Sequence, residues 1–356
     1  MSKKIFYLDN IKVFLAFLVI FFHTNSSYGG EGGWYYIEAS NDEISKSILT
    51  FINALFQSFF MGLFFFISAY FTPRSYDNKG FHSFLKGKVM KLLIPALFYF
   101  FVLNPLCISL VNPQPYLSSL GFYNTWFIVA LLYFYIIYAL VRKWTGGHTL
   151  TASFPNKGGV LVYILVIGVL NFLTRLVFST NELYIHDFSL GYFPQYIVLF
   201  WLGTVAYRNG WLEHINSQIV SFYFRVSLVS LLTLPIVFLI SDLYADDFSA
   251  FYGGMTWESL YYSFWEPFTG VGIMMKIVYV FKSKLNFTTS WLGKLSRSSY
   301  AIYIIHAPVI VSLQLALKTI PVHLMIKVAI VTVFTLIFSF FISYCLLKNR
   351  MISQII

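Results

Sequence analysis

Charged side chains are scarce in this chain. Asp, Glu, Lys and Arg together make up 11% of its 356 residues, where ordinary soluble domains carry roughly a quarter. That shortage, set against 58% hydrophobic residues, excludes a water-soluble globule and predicts an integral membrane protein. Cysteine is rarer still. Cys107 and Cys345 each lie inside an apolar run, so a disulfide framework is not expected and no metal-ligand spacing exists. No metal site is predicted. Glycine-rich phosphate loops, low-complexity tracts and internal repeats are also missing. Acid is short relative to base, 14 residues against 24, for a net charge of +10. An excess of base suits nucleic acid, but its distribution along the chain points elsewhere.

What the chain does have is long apolar runs. A helix needs about 20 mainly apolar residues to cross a bilayer, and ten such stretches are present, at roughly 9–28, 49–71, 88–111, 124–141, 159–179, 191–207, 219–241, 257–281, 299–317 and 322–347. The eighth holds Glu258, Glu266, Pro267 and Lys276, which predicts a kink or break. The runs are continuous rather than alternating, which excludes a β-barrel. The fold class expected is all-α, a multi-pass membrane bundle of about ten helices. It forms a single domain over 1–356 with no separate soluble part. With both termini in the cytoplasm, 20 of the 24 Lys and Arg fall at the inner face, Lys46, Arg175, Lys318 and Lys327 being the others. Glu31, Glu38, Asp42, Glu43, Glu182, Asp187, Asp242, Asp246 and Asp247 then fall outside. Basic residues in short loops set topology, so the charge is accounted for without nucleic acid. Residues 1–28 read as a retained span rather than a cleaved leader, because no small-x-small site follows and Asp9 and Lys12 interrupt the pattern.

The first run carries the polar groups that need explaining. Lys12, Ala16, Val19 and His23 recur every three or four residues and share one helical face. At 1.5 Å per residue, Lys12 and His23 lie about 16 Å apart along the axis. Asp9 is placed to pair with Lys12. Lys12 has two readings: a basic residue snorkelling to the interface, or one facing a shared interior. For His23 the functional reading leads, because ionisable groups inside a membrane line sites and pathways.

A basic residue, ten intervening positions and a His, after Tyr-x-Asp, resembles the first helix of the acyltransferase-3 family of membrane acyltransferases. Lys12 stands where that family usually has Arg. Further stretches resemble it in order: "FFFISAYF" at 64–71, with Ala69 in place of the usual Gly; "FLKGKVMKLLIPALFYF" at 84–100, with Lys for Arg; "TWFIVALLYF" at 125–134; "FWLGTVAYRNGWLE" at 200–213; and "SSYAIYIIHAPVI" at 298–310. The pattern is most similar to the branch containing the periplasmic glucan succinyltransferases. The bias toward Lys, Ile, Phe and Asn suits an AT-rich bacterium, and so a bacterial plasma membrane.

The resemblance implies an O-acyltransferase that moves an acetyl- or succinyl-type group from cytoplasmic acyl-CoA to a hydroxyl of an extracytoplasmic carbohydrate or envelope acceptor. No tightly bound cofactor is implied; acyl-CoA is the donor substrate. His23 takes the role of general base, since oxygen acylation requires loss of the hydroxyl proton and imidazole titrates near neutrality. Lys86, Lys88 and Lys91, with Arg74 and Lys79 adding to the field, form either a positive-inside cluster or a cradle for the CoA phosphates. His306, about two turns into the ninth run and three residues after Tyr303, either hydrogen-bonds across helices with help from Pro308 or positions the thioester. Trp126 reads as an interface anchor or a cavity wall. Arg175, with Asn171 one turn before it, is placed to touch the acceptor or pair with Glu182. Glu258 and Glu266 are each placed to orient His23 or to pair with Arg175. The competing reading is a secondary transporter or exporter using His23, Lys12 and Glu266 as a relay.

Overall fold

A computed structural model describes residues 5–148, 150–242 and 248–356, apart from the side chain of Asp242. Asp246 and Asp247, expected outside the membrane, lie outside the described residues. Every regular element among the described residues is helical. The chain begins with α1 (Phe6–Ser27), α2 (Glu43–Tyr70) and α3 (Thr72–Phe98). A π turn at Tyr99–Leu103 leads into α4 (Asn104–Val111). Next come α5 (Trp126–Trp144), α6 (Lys157–Arg175), α7 (Phe193–Arg208), α8 (Ser217–Asp242) and the single turn α9 (Ser249–Tyr252). The long helices α10 (Trp257–Lys284), α11 (Ser290–Leu317) and α12 (Leu324–Leu346) follow, and α13 (Arg350–Ile355) ends the chain.

Among the described residues, eight segments are long and apolar enough to cross a membrane: α1, α2, Thr72–Val111, Tyr116–Trp144, α6, Ser217–Ser241, α11 and α12. The other two of the ten expected runs are helical as well, but differ in length or charge from these eight. The run at 191–207 forms α7, 16 residues of α-helix that follow directly on a 3-10 turn at Leu190–Tyr192. The run at 257–281 forms α10, which has the length but carries Glu258, Glu266, Lys276, Lys282 and Lys284. The kink expected at Pro267 does not break it. The third run also differs, because its helix starts at Thr72 rather than in a loop. Gly80, at φ 70°, interrupts it in a conformation that costs glycine little.

The chain divides into two compact units. One comprises Met1–Phe56, Gly87–Leu132 and Leu285–Ile356; the other comprises Gln57–Lys86 and Tyr133–Lys284. In the first, α11 packs on α12, α1 and α4, and α1 also meets α12. In the second, α10 packs on α8 and α6, and α6 on α7. The polarity of α12 runs opposite to that of a helix in a soluble protein. Lys327, Thr332, Thr335, Ser339 and Ser343 are buried, while Val333, Phe334, Ile337, Phe338 and Phe341 are exposed. The exposed faces of α6 and α8 are likewise apolar, with Val162, Leu165, Val169, Val229, Leu232 and Ile236 outward. Apolar surface of that extent is not tolerated in water but suits lipid, and small polar residues are what let membrane helices approach each other. The protein is an all-α, multi-pass membrane bundle.

Candidate active site

The site is built within the first unit, at the C-terminal end of α1. His23 stacks on two rings. One is Trp34, from the loop between α1 and α2, at 4.7 Å and 30°; the second is His306 of α11, at 5.2 Å and 22°. His306 is fully buried, whereas His23 keeps a partly exposed edge. His306 Nδ1 lies 2.6 Å from the Tyr303 carbonyl oxygen. A carbonyl only accepts, so Nδ1 carries the hydrogen and donates, which leaves Nε2 of the neutral ring as an acceptor. That Nε2, together with His23 Nδ1 and Trp34 Nε1, is buried with no protein partner. No carboxylate therefore orients His23 through Nδ1.

A one-way chain of hydrogen bonds runs alongside the stack. Tyr303 Oη donates to the Asn124 carbonyl at 2.5 Å. Asn124 Nδ2 donates to Tyr99 Oη at 3.1 Å, Tyr99 Oη is 2.6 Å from Tyr35 Oη, and Tyr35 donates to Asn104 Oδ1 at 2.5 Å. Asn104 Nδ2 ends the series on the Ser119 carbonyl at 2.8 Å. Since Tyr35 gives its hydrogen to Asn104, Tyr99 must donate to Tyr35. Each member fixes the next, and the π turn that presents Tyr99 is the kind of irregularity often met at functional sites.

The loop carrying Trp34 is fastened at several points. Asn53 Nδ2 donates to the Glu31 carbonyl at 2.7 Å, Gln314 Nε2 donates to the Tyr36 carbonyl at 2.9 Å, and the Glu38 N–H donates to the Ser27 carbonyl at 3.0 Å. Lys327 Nζ lies 2.7 Å from Glu38 Oε1. Its glycines have a use here. Gly33, at φ 65°, turns the chain directly before Trp34, and a Cβ on Gly32 would stand 2.8 Å from Phe22 Cζ. Trp34 and the Tyr35–Tyr99–Asn104–Asn124 series escape a sequence reading. The only trace of them is the glycine pairs ahead of "WYY".

The other predicted residues fall as follows. Lys12 pairs with Asp9 at 3.5 Å, as its spacing suggests, and α1 keeps it about 16 Å along the axis from His23. His306 is not two turns into its helix: α11 begins at Ser290, so the ring lies more than four turns in. Its Nδ1 bonds to its own helix, not to a neighbouring one. Lys86 and Lys91 are exposed, Lys88 is half-buried, and all three are on α3 beyond Gly80. At about 100° per residue, Lys88 and Lys91 share a face and Lys86 points away from it. Trp126 is half-buried at the start of α5.

Arg175 and Glu266 meet in the second unit. They form a salt bridge with both side chains buried. Arg175 also donates to the Gly191 carbonyl at 3.1 Å and to Ser263 Oγ at 3.2 Å, and its guanidinium lies over the rings of Tyr192 and Tyr262. The expected partner Glu182 instead accepts from Tyr184 Oη at 2.9 Å. Glu258 accepts from Ser241 Oγ at 3.5 Å.

Fold and site together define a polytopic helical membrane protein with paired interior imidazoles. The chain belongs to the acyltransferase-3 family, whose model, described as an acyltransferase domain, matches residues 5–346. No curated protein and no solved structure matches it. It is thus a multi-pass membrane acyltransferase.

Proposed function

We propose that the protein is a membrane O-acyltransferase of the bacterial plasma membrane, a single catalytic domain with no separate soluble part. It takes an acetyl- or succinyl-type group from cytoplasmic acyl-CoA to a hydroxyl of an extracytoplasmic carbohydrate or envelope acceptor, and acyl-CoA acts as a substrate rather than a resident cofactor. His23 is the general base. The acceptor oxygen attacks the thioester carbonyl carbon while its proton passes to the imidazole; the C–S bond then breaks, and the departing thiolate takes that proton. Lys88 and Lys91, with Lys86 on the other side of α3, supply positive charge for the CoA phosphates. Lys12 holds charge at the inner end of α1 through its pair with Asp9.

The observation that carries this reading is the stack itself. His23 keeps Nδ1 free of any protein partner beside His306, whose tautomer the Tyr303 carbonyl sets. A base needs such an open acceptor, and a purely structural histidine would have its nitrogens satisfied. The relay reading loses support because Glu266 is already held by Arg175. Purified protein given labelled acetyl-CoA or succinyl-CoA, with a sugar or glucan acceptor, tests the proposal. Turnover in His23→Gln should fall by about 10²–10⁴-fold; undiminished turnover rejects the base assignment.

A further inference from the structure

An acyl transfer needs more than a base. When the hydroxyl oxygen bonds to the thioester carbon, the carbonyl electron pair moves onto oxygen, and that oxyanion requires a hydrogen-bond donor already in place. The nitrogens of the two imidazoles that have no protein partner are acceptors and cannot fill that role. His306 has placed its Nδ1 hydrogen on the Tyr303 carbonyl, and His23 is required as an acceptor. Trp34 is different in kind. Its indole N–H can only donate, its ring is more than nine-tenths buried, and Nε1 has no protein acceptor. A buried donor left without a partner is unfavourable, and a ligand oxygen would relieve that.

The surroundings hold Trp34 still. Tyr35 packs edge-on against it at 5.2 Å and is itself tied through its hydroxyl to Tyr99 and Asn104. Tyr123 lies against Tyr35 at 4.7 Å and adopts φ 26°, a backbone conformation that a bulky side chain rarely takes. Strain of this type persists only where the neighbouring structure enforces it, and it gathers at active sites. Two glycines and several loop anchors complete the support. A donor fixed before the reaction starts needs no reorganisation as charge develops.

We propose that Trp34 is a catalytic residue whose indole N–H receives the acyl oxygen as it becomes negative, opposite the hydroxyl oxygen whose proton His23 removes. This rests on the acyltransferase reading above and adds a residue to it. When the C–S bond breaks, the electron pair returns from oxygen to carbon, the carbonyl re-forms in the ester product, and the N–H is released for the next turn.

Two variants isolate the N–H from the ring. Trp34→Phe keeps an aromatic face for His23, and replacing Trp34 with benzothienylalanine keeps the whole bicyclic shape while sulfur takes the place of N–H. In purified full-length protein, both should lower kcat by about 10²-fold and leave KM for acyl-CoA within about twofold, the signature of a contact made only in the transition state. An unchanged kcat in the benzothienylalanine protein overturns the proposal, as does a rise in KM alone. If Trp34→Phe does not fold, the isosteric variant decides. His23→Gln assayed alongside separates the two readings. Loss there with normal Trp34 variants removes only the oxyanion role, and the reverse pattern removes only the base.

Discussion

The Tyr303 carbonyl decides which nitrogen of His306 carries hydrogen, and that small fact leaves Nε2 an acceptor on a ring stacked against His23. At the same scale, the Arg175–Glu266 pair shows how the interior tolerates charge. Removing one member strands the other without a countercharge, whereas removing both does not. Glu266→Gln should therefore destabilise the protein by about 3–5 kcal/mol, and the joint change Arg175→Met with Glu266→Leu should cost far less. Thermal unfolding in detergent measures both; equal losses would show that the pair matters for packing rather than charge. The sequence raised this pairing as one option among several, since Arg175 had Glu182 nearby in the chain. Only burial settled it, because Glu182 is exposed and an exposed acid gives a sealed guanidinium nothing.

Among the elements, close approach is governed by a few glycines. A Cβ on Gly270 of α10 would stand 1.9 Å from the Ser58 carbonyl oxygen of α2, and one on Gly203 of α7 would stand 2.3 Å from the Phe66 carbonyl oxygen. Backbone cannot yield as a flexible side chain does. Gly270→Ala should thus cost about 1–3 kcal/mol or more through overpacking. Gly293→Ala, where the nearest atom is an ordinary 3.7 Å away, should be neutral or gain up to about 1 kcal/mol from helix propensity. Unfolding midpoints of the two variants provide the check, and similar values would deny the contact its importance. The helices themselves were legible from apolar runs. Their ends were less so: α11 extends back through the polar stretch "SWLGKLSRSS", because backbone hydrogen bonding continues a helix without apolar side chains. His306 consequently lies deeper along its helix than hydropathy suggests.

For the whole molecule, eight of the ten expected spans are each long and apolar enough to cross among the described residues, the other two being the short α7 and the more charged α10. Either number is even, so the reading of both termini on the cytoplasmic side is the same. Fusing a reporter active only in the cytoplasm to each end in turn should give signal from both; a signal from one end alone would reject that topology. The sequence by itself determined that the chain belongs in lipid, is helical, and keeps an imidazole and a lysine on one face of its first helix, because those properties depend on near neighbours and on the cost of exposing backbone to hydrocarbon. Tertiary structure decided the rest: that Trp34 and His306 both stack on His23, and that Arg175 chooses Glu266. His306 and Glu266 come from far along the chain and Trp34 from across a loop, and no local pattern encodes which side chain will fill the space beside a ring.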